Sequence, residues 1–144
     1  MTMPPEERLG SHLKRAEQEL MAAKTAAVRP AGLTVPQYAA LLALSGSPGI
    51  SSAGLARACL VTPQAMTVLL RNLEEAGLVE RSPHPWHKGL LEIHLTESGR
   101  GALARADGRA VLVERALAEE FSPEERDRLV DMLGRCARVL STLR

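Results

Sequence analysis

Aromatic side chains are almost missing from this chain. Tyr38, Trp86 and Phe121 are the only three among 144 residues, so a core must be built from Leu, Ala, Val and Met, which favours helices. Cysteine is as sparse. Cys59 and Cys136 stand far apart with no CxxC pair, which excludes a disulfide framework and points to reduced, buried thiols in a cytoplasmic protein. Excess charge is lacking too: the formal net charge is +1. Any nucleic-acid partner must then be met by local arrangement rather than bulk charge. No apolar run approaches the length of a bilayer span, and MTMPPEERLG carries early acids without an apolar stretch. Neither a membrane association nor a signal peptide is expected. No nucleophile–base constellation stands out, so neither an enzyme nor a cofactor is expected. The length suits one compact unit with a real core.

What is present centres on residues 60–95, LVTPQAMTVLLRNLEEAGLVERSPHPWHKGLLEIHL. Thr62 can cap a helix because its hydroxyl accepts from an orphan N–H of the first turn, and Pro63 suits the first position, where no N–H is needed. Met66, Leu69, Leu70 and Leu73 recur at helical spacing and form the buried stripe. Gln64, Thr67, Val68, Arg71 and Glu75 form the other face. Gly77 ends the helix in the left-handed conformation. Strands are predicted over Leu78–Arg81 and Leu90–Leu95, the second alternating Leu91, Ile93 and Leu95 with Glu92 and His94. The loop between them, Ser82 to Gly89, is too long for a tight turn and is cationic and His-rich. A helix with a short polar outer face, followed by a hairpin with a basic tip, suits a major groove and the phosphates beside it.

Upstream, Leu9, Leu13, Ala16, Leu20, Ala23 and Ala27 step by fours and threes within a helix predicted from about Pro5 to Val28, a heptad-like seam. Thr34 and Gln37 form a capping box for the next helix. Ile50 is predicted to add a short strand to the hairpin. Ser51 or Ser52 caps a short helix bearing Leu55, Ala56 and Cys59, so that a tight turn joins two short helices. Downstream, Thr96 caps a helix to about Glu120 with Leu103, Ala106, Ala110, Val113 and Leu117 in step. Ser122 and Glu125 cap the last helix, with Leu129, Leu133, Cys136, Leu140 and Leu143 in step. The central module is too small to cover these seams, which implies pairing with a second copy. Leu9, Leu13, Leu20, Leu117, Leu129, Leu133, Cys136 and Leu140 are the expected dimer contacts.

LTVPQYAALLAL, LARACLVTPQAMTVLLRNLEEAGLVERS and LEIHLTESGR together resemble the MarR family of bacterial transcription regulators, most specifically from Leu55 to Arg100. The resemblance implies a homodimer with interlocked terminal helices, and two winged helix-turn-helix modules on adjacent grooves of palindromic double-stranded DNA. A small-molecule effector or an oxidant releases many family members. The fold class expected is mainly α with a small β-hairpin (α+β). It divides into an N-terminal dimerisation helix (1–32), a winged helix-turn-helix module (33–95) and C-terminal dimerisation helices (96–144).

The residues expected at DNA are Gln64, Thr67 and Arg71 on the helix face, Ser52, Thr62 and Pro63 at helix starts, Arg81 at the strand end, and His84, Trp86, His87 and Lys88 in the wing. Arg81 could equally pair with a nearby acid. The family's wing carries a D-x-R arrangement where this chain has His84-Pro85-Trp86-His87-Lys88-Gly89, so the usual Arg contact carries over only to Lys88, a point charge without a bidentate fork. Trp86 and the histidines either replace some of that contact or fold the loop on itself. His84 and His87 lack a matching Cys or acidic ligand pair, and no metal site is expected. The competing reading is a winged-helix module for protein–protein contact without specific DNA binding.

Overall fold

The computed structural model describes residues 1–144. Its elements are α1 (Leu9–Val28), α2 (Val35–Gly46), α3 (Ser52–Ala58), α4 (Pro63–Glu75), β1 (Val79–Pro83), β2 (Leu91–Leu95), α5 (Glu97–Glu119) and α6 (Pro123–Ser141). The fold is mainly α with one antiparallel hairpin, as the sequence implied.

Local chemistry explains where most helices begin. The Thr34–Gln37 box forms as read: the Gln37 N–H donates to Thr34 Oγ1 at 3.2 Å, and the Thr34 N–H to Gln37 Oε1 at 3.0 Å. Ser51, not Ser52, caps α3, its Oγ accepting from the Gly54 N–H at 3.1 Å. The first helix starts at Leu9, with its apolar pattern, rather than at about Pro5 as predicted. Pro5–Glu7 make a separate 3₁₀ turn, and Arg8 is extended with no side-chain cap before α1 resumes at Leu9. Ile50 does not become a strand. The sheet has two strands only; the Ile50 N–H turns back to the Ser47 carbonyl at 3.2 Å, and Gly49 N–H alone reaches across to Ile93 O.

Contacts group the chain into two compact units, Met1–Ala110 and Val111–Arg144, rather than one. The first holds the whole buried core. Val28, Leu33, Tyr38, Leu41, Leu44, Leu55, Met66, Leu70, Leu73, Val79 and Ile93 pack there with Leu103, Ala106 and Ala110 of α5. That last trio corrects the expectation for the Leu103–Ala110 part of the Leu103–Leu117 seam, which is covered within the chain, while Leu117 stays exposed. The Tyr38 hydroxyl donates to Asp107 Oδ1 at 2.6 Å, so this part of α5 docks on its own α2.

One junction holds the hairpin to the helices around it. Gly77 has φ +73°, and the Leu78 N–H reaches back to the Leu73 carbonyl at 2.9 Å, closing α4 with a Schellman-type cap. Thr96 then works three ways. Its N–H donates to Leu78 O at 3.1 Å, its hydroxyl donates to Gly77 O at 2.6 Å, and its Oγ1 accepts from the Gly99 N–H at 3.0 Å. Gly99 sits so close to β1 that an added Cβ would lie 2.0 Å from the Leu78 carbonyl oxygen. Only a missing side chain permits that approach.

In the second unit, Ser122 and Glu125 form the expected capping box, with 3.2 and 2.9 Å bonds. Arg126 Nε donates to the Ala118 carbonyl at 2.6 Å and ties α6 to the end of α5. No residue of α6 is buried within the single chain.

Candidate nucleic-acid interface

The two short helices α3 and α4 are joined by Cys59 to Thr62, and their axes bend by 107°. That angle and turn length are those of a helix-turn-helix. The turn contains the one non-glycine residue with positive φ, Leu60 at 57°, and its side chain is 92 % exposed. Val61 N–H bonds to Ala56 O at 3.1 Å and holds the turn in place. Cys59 is half-buried beside the core, and that burial pushes its thiol up from its ordinary value. A thiol kept protonated is a poor nucleophile, which favours the packing reading over oxidant sensing.

Helix α4 separates its faces cleanly. Met66, Leu70 and Leu73 are fully buried, and Leu69 is half-buried against the same core. Gln64, Thr67, Val68, Arg71 and Glu75 are exposed. Thr62 Oγ1 accepts from Ala65 N–H at 3.1 Å, which leaves its own hydroxyl hydrogen free to donate outward. Thr67 donates to Pro63 O at 2.9 Å, so its acceptor lone pairs face out. Ser52 is the first residue of α3 and half-buried.

Of the two readings left open for Arg81, the structure contains the ion pair: its Nε contacts Glu74 Oε1 at the end of α4. Both partners are about a third exposed, so the pair adds little stability in water. It does fasten the strand that leads into the wing to the helix that precedes it.

The first strand starts one residue later than predicted and runs two further, and the second starts one residue later. Val79 pairs with Leu95 and Pro83 with Leu91, so the loop begins at His84. There the chain folds on itself. His84 N–H donates to Leu90 O at 2.9 Å and Leu90 N–H to His87 O at 3.3 Å, while Gly89 takes φ +82°. The His84 ring turns inward, its Nδ1 accepting from the N–H groups of Trp86 (3.1 Å) and His87 (3.2 Å). Its Nε2 stands 3.7 Å from Glu92 Oε1, and the other Glu92 oxygen lies 2.9 Å from His94 Nε2. Trp86, His87 and Lys88 remain exposed, Trp86 at 85 %.

The helix face and the wing tip were legible from sequence, and a wing folded on itself was one of the two readings left open; the particular inward role of His84 and the contact at Gly99 were not legible. A signal for the first existed. A ring nitrogen at His84 sits where an Asx side chain accepts from N–H groups two and three residues on.

The dimer candidates lie at the surface of the single chain. Leu9, Leu117, Leu133 and Leu140 are exposed, and Leu13, Leu20, Leu129 and Cys136 are half-buried. Val130, Met132, Val139 and Leu143 extend the exposed apolar set on and beyond α6.

Comparison with known proteins agrees with this geometry. The sequence model of the MarR family matches residues 31–88, from the end of α1 to the wing tip. The HTH-type transcriptional repressor Rv2887 of Mycobacterium tuberculosis is 41 % identical over 129 residues, spanning 88 % of this chain and 93 % of that protein. Its crystal structure with salicylic acid superposes with a TM-score of 0.67 at 36 % identity, covering 90 % of this chain and 96 % of that one. The transcriptional repressor CouR, bound to a 23-mer DNA duplex, gives a TM-score of 0.82 at 32 % identity, covering 92 % of this chain and 94 % of that one. The order of elements, the helix-turn-helix with its wing, and a likeness running through nearly the whole chain lead to one conclusion: this chain belongs to the MarR family.

Proposed function

We propose that this protein is a sequence-specific regulator of transcription that binds double-stranded DNA as a homodimer on a pseudo-palindromic operator, and that it acts as a repressor. One observation carries the reading. Helix α4 buries Met66, Leu70 and Leu73 completely while leaving Gln64, Thr67 and Arg71 free on the second helix of a helix-turn-helix. An inner face so fully packed fixes the helix rigidly, and the outer face is then a reading surface for the major groove. Arg71 and Gln64 are assigned to bases and phosphates. Thr67, Thr62, Pro63 and Ser52 are assigned to positioning on the backbone. Trp86, His87 and Lys88 are assigned to the wing contact, while Arg81, paired with Glu74, and His84, turned inward, hold the wing in place.

The exposed apolar residues of α6 and the α1 seam support pairing with a second copy, which would bring two reading helices onto one face of a duplex. A protein that acts on DNA is proposed to be cytoplasmic, and no catalytic role is proposed. No single helix is long and apolar enough to cross a membrane. The repressor Rv2887 was crystallised with salicylic acid, and a small aromatic acid is the effector class we expect to release this protein from its operator.

The test is selection of bound fragments from genomic DNA, followed by footprinting. Two protected half-sites about one helical turn apart are expected. Affinity should fall linearly on a log–log plot against salt, because each neutralised phosphate releases counterions. Protection of a single unpaired half-site, or salt-insensitive binding, would refute the reading.

A further inference from the structure

The wing of this chain is closed by a titratable side chain. Two backbone N–H groups, those of Trp86 and His87, point at the same ring nitrogen, Nδ1 of His84. A nitrogen can accept them only while it carries a lone pair, so the closed wing requires the neutral imidazole with its proton on Nε2. That tautomer agrees with the other side of the ring, where Nε2 faces the Glu92 carboxylate. We infer that His84 is the positioning residue of the wing, and that uptake of a proton at its Nδ1 releases the tip carrying Trp86, His87 and Lys88.

The sign follows from the groups around the ring. From the loop, the Trp86 and His87 N–H groups oppose a third hydrogen at Nδ1. The Lys88 ammonium of the same loop opposes added positive charge, and the His87 ring lies 4.7 Å away between centroids. From β2, Glu92 favours the imidazolium, and His94 shares that carboxylate through its other oxygen. Glu92 stands on β2, outside the tip, so its pull on the imidazolium does not depend on the tip N–H groups. The two N–H groups act on it only when the tip is closed. Closure therefore excludes a proton from Nδ1 and opening admits one, so acid conditions favour the open form. His84 is not proposed to touch DNA in this role. It sets where Lys88 and Trp86 stand.

Substitution separates acceptor geometry from titration. In His84→Asn the side-chain oxygen occupies nearly the place of Nδ1, accepts the same two N–H groups and does not titrate. His84→Gln puts its polar atoms where Nε2 was and cannot close the turn. Trp86 is the only tryptophan, so its fluorescence anisotropy reports wing motion on top of overall tumbling, which the His84→Asn control shares.

The full-length protein is examined at about pH 7.5 and about pH 5.5, on either side of the ordinary histidine range. ¹⁵N spectra at the higher pH should find His84 protonated on Nε2 and bare at Nδ1. Trp86 anisotropy should fall on acidification in the wild type, stay level in His84→Asn, and be low at both pH values in His84→Gln. An Nδ1–H tautomer at the higher pH, or an equal acid-induced fall in His84→Asn, overturns the inference.

A third arm uses a duplex carrying the genome-selected site and rests on the proposed DNA reading. The loss of affinity caused by Lys88→Ala should shrink several-fold at the lower pH in the wild-type background and persist unchanged in His84→Asn. A Lys88→Ala loss of equal size at both pH values in the wild type overturns control of the DNA contact by His84. If Lys88→Ala has no effect at either pH while the tautomer and anisotropy arms behave as stated, the proposed wing contact fails and the His84 closure stands.

Discussion

Replacing Gly99 with alanine should loosen the joint between the reading helix, the hairpin and α5. The added methyl would stand 2.0 Å from the Leu78 carbonyl oxygen, whereas a comfortable carbon–oxygen contact is about 3.3 Å. The obstacle is backbone, and that same oxygen accepts the Thr96 N–H at 3.1 Å. Relief requires α5 and β1 to separate by roughly 1 Å, an overpacking cost of about 1–3 kcal/mol. The separation would also strain the two Thr96 bonds to Gly77 and Leu78, each worth about 1 kcal/mol. Against this, alanine in a helix gains about 1 kcal/mol over glycine. The net loss is about 2–4 kcal/mol, which for a chain of this size lowers Tm by roughly 6–14 °C. Thermal unfolding by circular dichroism at fixed protomer concentration measures it. Gly108→Ala is the internal control, because nothing lies within 4 Å of a Cβ there on the same helix; it should raise stability by about 0.5–1 kcal/mol. Equal Tm values for Gly99→Ala and wild type would refute the close approach of α5 to β1.

Three further outcomes are expected. Arg71→Ala should weaken operator binding by about 1–3 kcal/mol with unfolding unchanged; an unaltered binding isotherm would remove Arg71 from the reading face. Lys88→Ala at neutral pH should weaken binding to all sequences about equally and reduce the salt slope by about one. A shift in sequence preference with an intact slope would mean that Lys88 reads bases. Leu133→Asp with Leu140→Asp places two charges on the exposed apolar face of α6 and should abolish both dimerisation and operator binding. Sedimentation velocity checks the first and gel shift the second, and a double variant that remains dimeric would exclude this face from the interface.

The proposed interface also gives the unpaired surfaces a shared purpose. Leu133, Val139 and Leu140 are exposed in a helix whose opposite side is charged, and α1 holds no buried residue before Val28. Faces of this kind are unfavourable in water and gain most from burial against a like surface. Arg81–Glu74 and Thr96–Gly77 meanwhile fasten the hairpin to α4, so helix and wing would meet DNA as one body.

What the sequence determined by itself was everything governed by near neighbours. Thr34 with Gln37, Thr62 with Ala65, and Ser122 with Glu125 bond across three residues, so a helix start is written within a single turn of chain. The apolar stripe of α4 is likewise periodic, and periodicity needs no knowledge of what lies opposite. Tertiary structure alone decided which seam meets what. Leu103, Ala106 and Ala110 carry the same spacing as Leu133 and Leu140, yet the first three are buried within their own unit. The bond from Tyr38 to Asp107 joins residues 69 apart in sequence. Gly99 reads as an ordinary weak helix residue until the Leu78 carbonyl is set against it. The choice of Glu74 by Arg81 also depends on a distance the linear order does not contain. A spacing rule specifies which side chains share a face; only packing specifies what that face is pressed against.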